Sequence, residues 1–272
     1  MSLAAIAEET LRTVATGAYR APSGRTVSIA DAVAAAAAGT VLHVPGELDR
    51  IEAGTGPAPR VEVTAETTTA AAWRLVDREG VQRVAALNFA SAWNPGGGFR
   101  GEARAQEEDL ARRSALFACL DRQPGYYEAN RHLRSPLYTD HLIYSPDVPF
   151  FRGEGYEWLE RPYLLSILTC PAPEANEALR LDRSAGPAIR ATLRRRARVV
   201  LRAAALHGHR TLVLGAWGCG VFGNDPVDVA DDFVDALVQS AGAFDRVVFA
   251  VYERDGDGPN LRAFRARLGG LG

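Results

Sequence analysis

Lysine is absent: all 31 basic residues of this 272-residue chain are arginine. A phosphate-binding loop of the G-x-x-x-x-G-K-[ST] type needs its lysine, a pyridoxal enzyme needs a lysine Schiff base, and the usual protein kinase needs a strand lysine. None of the three can be built here. Any phosphate must be held by backbone N–H groups and arginine. Cysteine is scarce as well. Cys119, Cys170 and Cys219 are odd in number, far apart and free of any C-x-x-C pattern, which argues against a disulfide framework or a zinc site and for reduced thiols. The five histidines (His43, His132, His141, His207 and His209) lack ligand spacing, so neither metal nor cofactor is expected. No apolar run reaches the 18 residues of a transmembrane helix. The first ten residues carry Glu8 and Glu9 and no signal pattern, so no membrane contact and a cytoplasmic placement are expected.

A formal charge of −2 gives no bulk electrostatic case for binding duplex nucleic acid. Apolar residues at 47% and charged residues at 24% match ordinary globular usage. A chain of this length can bury roughly three-quarters of its unfolded surface.

Apolar runs alternate with helical patterns. Helices are expected over 2–16, 29–38 (capped by Ser28 and stopped by Gly39), 64–79, 106–120, 187–207, from Pro226, and over 260–268. Strands are expected at 41–44, 60–63, 84–89, 141–144, 163–169, 211–216 and 246–252. Residues 121–162 are rich in aromatics and proline and resist assignment. The alternation predicts an α/β fold with helices on both faces of a sheet. The Gly/Pro-rich stretch 53–60 is the one candidate boundary. It predicts an N-terminal helical extension, 1–58, packed on a main domain, 59–272.

Two loops follow strands, where open α/β sheets place their ligands. The first runs from Asn88 through Asn94, Gly96, Gly97 and Gly98 to Gln106, Glu107 and Glu108. Three consecutive glycines let a ligand approach the backbone and present N–H groups to it. Carboxylates in a first helical turn also suit the helix dipole. Successive helical side chains leave the axis about 100° apart, so the two glutamates are expected to differ in role. The second loop contains Gly218, Cys219, Gly220, Val221, Phe222 and Gly223. Followed by a helix N-terminus, it can cradle a pyrophosphate without lysine, with Phe222 as an aromatic wall for a sugar or base.

Gly96-Gly97-Gly98 followed by Gln106-Glu107-Glu108 resembles the signature of poly(ADP-ribose) glycohydrolases, closest to their short bacterial-type branch. Residues 87–91, 110–114, 169–173 and 215–223 extend the resemblance over most of the chain. It implies a macrodomain-like three-layer α/β/α sandwich with a mixed sheet. The implied reaction is hydrolysis of the ribose–ribose bond of poly(ADP-ribose), reversing ADP-ribosylation as in a DNA damage response. By the same resemblance Glu108 is the general acid/base and Glu107 its partner. Asn94 and Gln106 belong to the substrate site, the diphosphate lies on 218–221, and the distal ribose lies against Phe222. Poly(ADP-ribose) or an ADP-ribosylated protein is the implied partner and ADP-ribose the product. A monomer and exo cleavage, the latter through a cap at 255–268, are implied too. Arg104, the doubled Arg112-Arg113 and Glu174 depart from the family pattern without touching the motif.

A carboxylic acid protonating the leaving oxygen must hold its proton at neutral pH, which calls for burial and the neighbouring charge of Glu107. Two other functions share the fold: a non-catalytic ADP-ribose reader and a mono-ADP-ribosyl-protein hydrolase. A reader has no use for adjacent glutamates. Arg190, Arg194, Arg198 and Arg202 form a basic stripe expected to be a solvated helix face. His207 and His209 suit a helix C-terminus. Tyr126-Tyr127 and Phe150-Phe151 are the candidates for stacking adenine.

Overall fold

The computed structural model describes residues 1–50, 56–254 and 256–270. Nine strands and ten α-helices alternate among them. In chain order they are α1 (Leu3–Thr16), β1 (Ala18–Arg20), β2 (Thr26–Ser28), α2 (Ala30–Gly39), β3 (Val41–His43), β4 (Arg60–Thr64), α3 (Thr68–Trp73) and β5 (Val84–Phe89). Then follow α4 (Gln106–Arg113), α5 (Leu116–Leu120), α6 (Pro124–Leu133), β6 (Leu142–Arg152), β7 (Trp158–Cys170), α7 (Ala175–Leu181) and α8 (Gly186–Leu206). The chain ends with β8 (Thr211–Leu214), α9 (Pro226–Gln239), β9 (Arg246–Ala250) and α10 (Pro259–Leu268).

Seven strands form one mixed sheet in the order β3-β6-β7-β5-β8-β9-β4. The pairs around β5, β8, β9 and β4 are parallel, whereas β3–β6 and β6–β7 are antiparallel. Side chains of β5 alternate between two cores, as the two-residue period of a strand requires. Ala85 and Leu87 join Leu212, Leu214 and Phe249 against the side of α8, α9 and α10. Val84 and Ala86 join Ile143, Ile167 and Val213 against α2, α3 and α5. The result is the expected three-layer sandwich.

Several expectations change. The N-terminal segment also adds an edge strand to the sheet: β3 pairs with β6, Val41 opposite Tyr144. α1 is tied to the core through Thr10, whose hydroxyl donates to Arg112 O, and Glu9, which pairs with Arg152. Residues 53–55 of the candidate boundary lie outside the described residues. Ser28 is the last residue of β2, and Ile29, without a side-chain bond, precedes α2. The helix expected over 106–120 breaks at Ser114. There the backbone bridges Phe150 and the hydroxyl turns back to Leu110 O. The unassigned middle is α6 and most of a long hairpin, β6–β7.

The arginine stripe on α8 is not a solvated face. Arg190 and Arg194 meet the buried Asp232 of α9, and Arg202 meets Asp49. Arg196, fully buried, donates to Asp140, Pro171 O and Leu137 O. The helix-end histidines are not dipole partners either: burial holds the His207 pKa down at about 4, so its ring is neutral at physiological pH. Its Nε2 lies 2.9 Å from His43 Nε2. No helix among the described residues is long and apolar enough to cross a membrane.

Candidate active site

A cleft of about 780 Å³ opens at the C-terminal ends of the parallel strands, where doubly wound sheets put their ligands. Phe89 at the end of β5, Ala216 after β8 and Ala250 at the end of β9 lie in its wall. The Gly-rich loop contributes Gly218, Gly220, Val221 and Phe222, and the far rim is Tyr252, Arg254 and Asn260.

Of the three motif residues that open α4, Gln106 alone lines the cleft. Its carboxamide is already committed. Nε2 donates to Leu87 O (2.7 Å) and Thr68 Oγ1 (3.1 Å), and Oε1 accepts from Phe89 N (2.9 Å). Gln106 therefore splices α4 to the end of β5 and fixes the angle at which the glutamates leave the helix.

Glu107 points inward and is 2% exposed. Asn88 Nδ2 donates to Oε1 (3.1 Å) and Ser91 N to Oε2 (2.6 Å). Burial pushes its carboxyl up to about 8. The adjacent Glu108 charge adds to the rise, and the N–H groups of Ser91, Asn88 and Gly96 oppose it. The proton held by burial thus sits on Glu107, at the partner position of the pair. Glu108 is 8% exposed and faces the loop, accepting from Gly98 N (2.9 Å) and Ala105 N (3.0 Å). Ala105 is in the cleft wall, so Glu108 stands one hydrogen bond from it.

The triglycine has a different duty from the one read in sequence. A Cβ at Gly97 would overlap Glu108 Oε1 and stand 3.1 Å from Glu107 Oε2, and Gly97 has φ +60. The side chains leave the helix 100° apart yet converge on this one point, and only glycine leaves room for both. Asn94 is exposed: Gly97 N donates to its carbonyl (3.0 Å), while its side chain has no hydrogen-bond partner among the described residues.

In the second loop the backbone N–H groups of Gly218, Gly220, Val221 and Phe222 meet no acceptor among the described residues. They are a run of free donors in the cleft, suited to an anion. Two expectations are revised. Asp225 caps α9 by accepting from Val227 N (2.8 Å), so the helix end carries its own carboxylate and the loop N–H groups are the available donors. Cys219 and Gly223 do not line the cleft. Gly223 backs onto Asn176, and Cys219 is a half-buried free thiol. Gly218 (φ +74) lies against Ala172 and Asn224, whose Nδ2 donates to Pro173 O and Gly218 O. That packing sets the loop's shape.

Tyr126, Tyr127, Phe150 and Phe151 are all buried and cannot stack on a ligand. An aromatic that can is Tyr252, 61% exposed on the cleft and missed in the sequence because the pattern makes it the last residue of a strand over 246–252. Glu154 and Tyr156, from the β6–β7 turn, were missed with the hairpin itself. Tyr156 OH donates to Asp109 Oδ1 (2.8 Å), and Glu154 accepts from Thr67 and Thr69. Arg113 clamps this turn through Asp109 and the carbonyls of Gly153 and Glu154.

Within the fold Glu107 holds a proton that the unfolded chain releases near pH 4.5. Stability contributed by this group is therefore complete below that pH and is lost as pH rises through about 8. Glu107→Gln removes the dependence. Its melting temperature relative to the parent should climb steadily from pH 5 to pH 8, and parallel curves would mean that Glu107 is already ionised in the fold.

The sequence matches the family described as microbial-type PARG, catalytic domain, over residues 7–153. That span includes the first loop and α4 and ends before the second loop. Among solved structures, poly(ADP-ribose) glycohydrolase from Thermomonospora curvata, bound to the inhibitor ADP-HPD, is 50% identical. Its TM-score is 0.91, with 98% of this chain and 99% of that chain covered. Poly(ADP-ribose) glycohydrolase (PARG) from Deinococcus radiodurans, in complex with ADP-ribose, is 46% identical with a TM-score of 0.81, covering 88% of this chain and 98% of that one. No curated protein matches.

Proposed function

The chain belongs to the microbial-type poly(ADP-ribose) glycohydrolase family, and from that membership we propose how its own residues cleave the polymer and from which end. Hydrolysis of the ribose–ribose bond of poly(ADP-ribose) is its activity. The observation that carries the assignment of roles is the convergence of Glu107 and Glu108 on Gly97, beside the cleft.

The terminal ADP-ribose unit lies along the cleft. Its adenine rests on Tyr252, its diphosphate receives the free N–H groups of Gly218, Gly220, Val221 and Phe222, and its distal ribose is walled by Phe222 with C1″ at Glu108. Glu108 is the acid and base because it faces the loop and the cleft wall, whereas Glu107 is held deeper, by Asn88 Nδ2 and Ser91 N. Bond breaking passes through an oxocarbenium-like state, in which a proton delivered to the departing O2′ prevents an alkoxide from forming. One of the two loop hydrogen bonds to Glu108 gives way as that oxygen enters. The carboxylate left behind then takes a proton from the water that attacks C1″.

Burial keeps the Glu107 proton in place up to about pH 8, and the proton given to O2′ is a second one, carried into the reaction by Glu108 and regained from the attacking water. Glu107, neutral and immobile, orients a hydroxyl of the distal ribose. Gln106 positions the pair without touching substrate. We take cleavage to be exo, because Tyr252, Arg254 and Asn260 line the part of the cleft assigned to the adenosine and would meet a chain continuing from it.

Incubation with poly(ADP-ribose) and, separately, with mono-ADP-ribosylated protein tests this reading. Free ADP-ribose should accumulate from the polymer from the first time point, without intermediate oligomers. Release from the mono-modified protein alone would reassign the substrate, and early oligomers would make the enzyme endo-acting.

A further inference from the structure

The bond that breaks joins C1″ of the terminal unit to O2′ of the next unit's adenosine. The departing group is therefore a nucleotide, with an adenine face and a diphosphate close to the reacting oxygen. It lies beyond the glutamates and outside the cleft that holds the terminal unit. Trp93 is on the loop that bonds to Glu107, outside the cleft. Ser91 N donates to Glu107 Oε2, and Ser91 Oγ accepts from Trp93 N (3.2 Å) and Asn94 N (3.2 Å). The indole is 39% exposed and does not line the cleft.

Its orientation is fixed from both sides. The ring meets Tyr138 edge-on at 6.1 Å, and Nε1 donates to Tyr138 OH (3.4 Å). Tyr138 OH donates to Glu174 Oε2 (2.9 Å), and its ring lies 6.2 Å from Phe222. Tyr138 has φ +58, a conformation that bulky L-residues rarely adopt. Trp93, Tyr138 and Phe222 thus form an aromatic row joining the first loop to the second. A cation stands beside it: Arg131 Nη1 donates to Trp93 O (2.8 Å), and the rest of that guanidinium has no acceptor among the described residues. An exposed indole next to a partly free guanidinium is the pair of groups that a purine with a neighbouring phosphate calls for.

We propose that Trp93 and Arg131 form a subsite for the leaving unit, stacking its adenine and facing its diphosphate, so that the enzyme reads two units of the polymer rather than one. This rests on the reading of the site given under Proposed function. Glu174 serves the subsite by anchoring Tyr138.

The test compares two substrates: the polymer, and ADP-ribose carrying a small phenolic leaving group at C1″, which has no second nucleotide. Trp93→Ala should raise KM for polymer about five- to tenfold, from the usual strength of base–aromatic stacking. The ratio of polymer KM to phenolic-substrate KM should rise by the same factor. Trp93→Phe should restore most of it, and Arg131→Ala should weaken polymer binding chiefly at low salt. Equal losses on both substrates would make Trp93 a brace of the catalytic loop and overturn the subsite, as would no change on either. A wild-type enzyme idle on polymer would instead sink the reading of the site itself.

Discussion

Glu108→Gln should fold, bind ADP-ribose and lose roughly 10²- to 10⁴-fold in kcat on poly(ADP-ribose), the usual worth of a positioned proton donor and acceptor. The substitution keeps shape. A carboxamide oxygen can still accept one of the bonds from Gly98 N and Ala105 N, so the loop should survive while proton transfer does not. Melting temperature and ADP-ribose affinity measured beside kcat separate the two effects. Near wild-type turnover would end the assignment. A collapse of stability together with activity would show that the carboxylate is chiefly a loop anchor.

Gly97→Ala is expected to be almost as damaging, for a reason that lies in space rather than chemistry. The added methyl overlaps Glu108 Oε1 and crowds Glu107 Oε2, and the residue sits at φ +60. The left-handed conformation costs roughly 1–2 kcal/mol of stability for alanine. Displacing a reacting group by about 1 Å can cost on the order of 10²-fold in rate. Gly80→Ala is the control: it shares a left-handed φ of +70, but a Cβ there meets nothing within 4 Å. Gly80→Ala should lose only the backbone cost, whereas Gly97→Ala should lose at least as much stability and, alone of the two, activity. If Gly97→Ala turned over normally, the carboxylates would not need the convergence seen at this glycine.

The parts of this molecule that were legible in sequence are those where one short segment carries the whole signal. β5, its loop and the start of α4 fall where alternation, three glycines and a polar helix start place them, and the Gly-rich loop follows β8 as expected. Other features depend on segments distant in the chain. Pro146, Pro149 and Pro162 sit inside β6 and β7, one edge of which is interrupted by a register shift between Ser145 and Val148, so strand periodicity is hidden. Ser114 ends α4 because Phe150 bridges to it, which no local pattern announces. The arginines of α8 recur like a solvated stripe, and only the acids of α9, far along the chain, turn them into ion pairs. What Gln106 and the triglycine do for the glutamates depends on distant contacts in the same way. Both serve the glutamates' geometry, and which atoms a glycine makes room for is a property of the fold. Tyr252, Arg254 and Asn260 belong to the cleft only because the sheet order carries β9 beside β8.

The most direct measurement is the structure of this chain with ADP-ribose bound. The expected complex has adenine on Tyr252, diphosphate oxygens on the N–H groups of Gly218, Gly220, Val221 and Phe222, and the C1″ hydroxyl within hydrogen-bond distance of Glu108, with Glu107 behind it on a ribose hydroxyl. A ligand seated the other way round, or a distal ribose out of reach of Glu108, would contradict it.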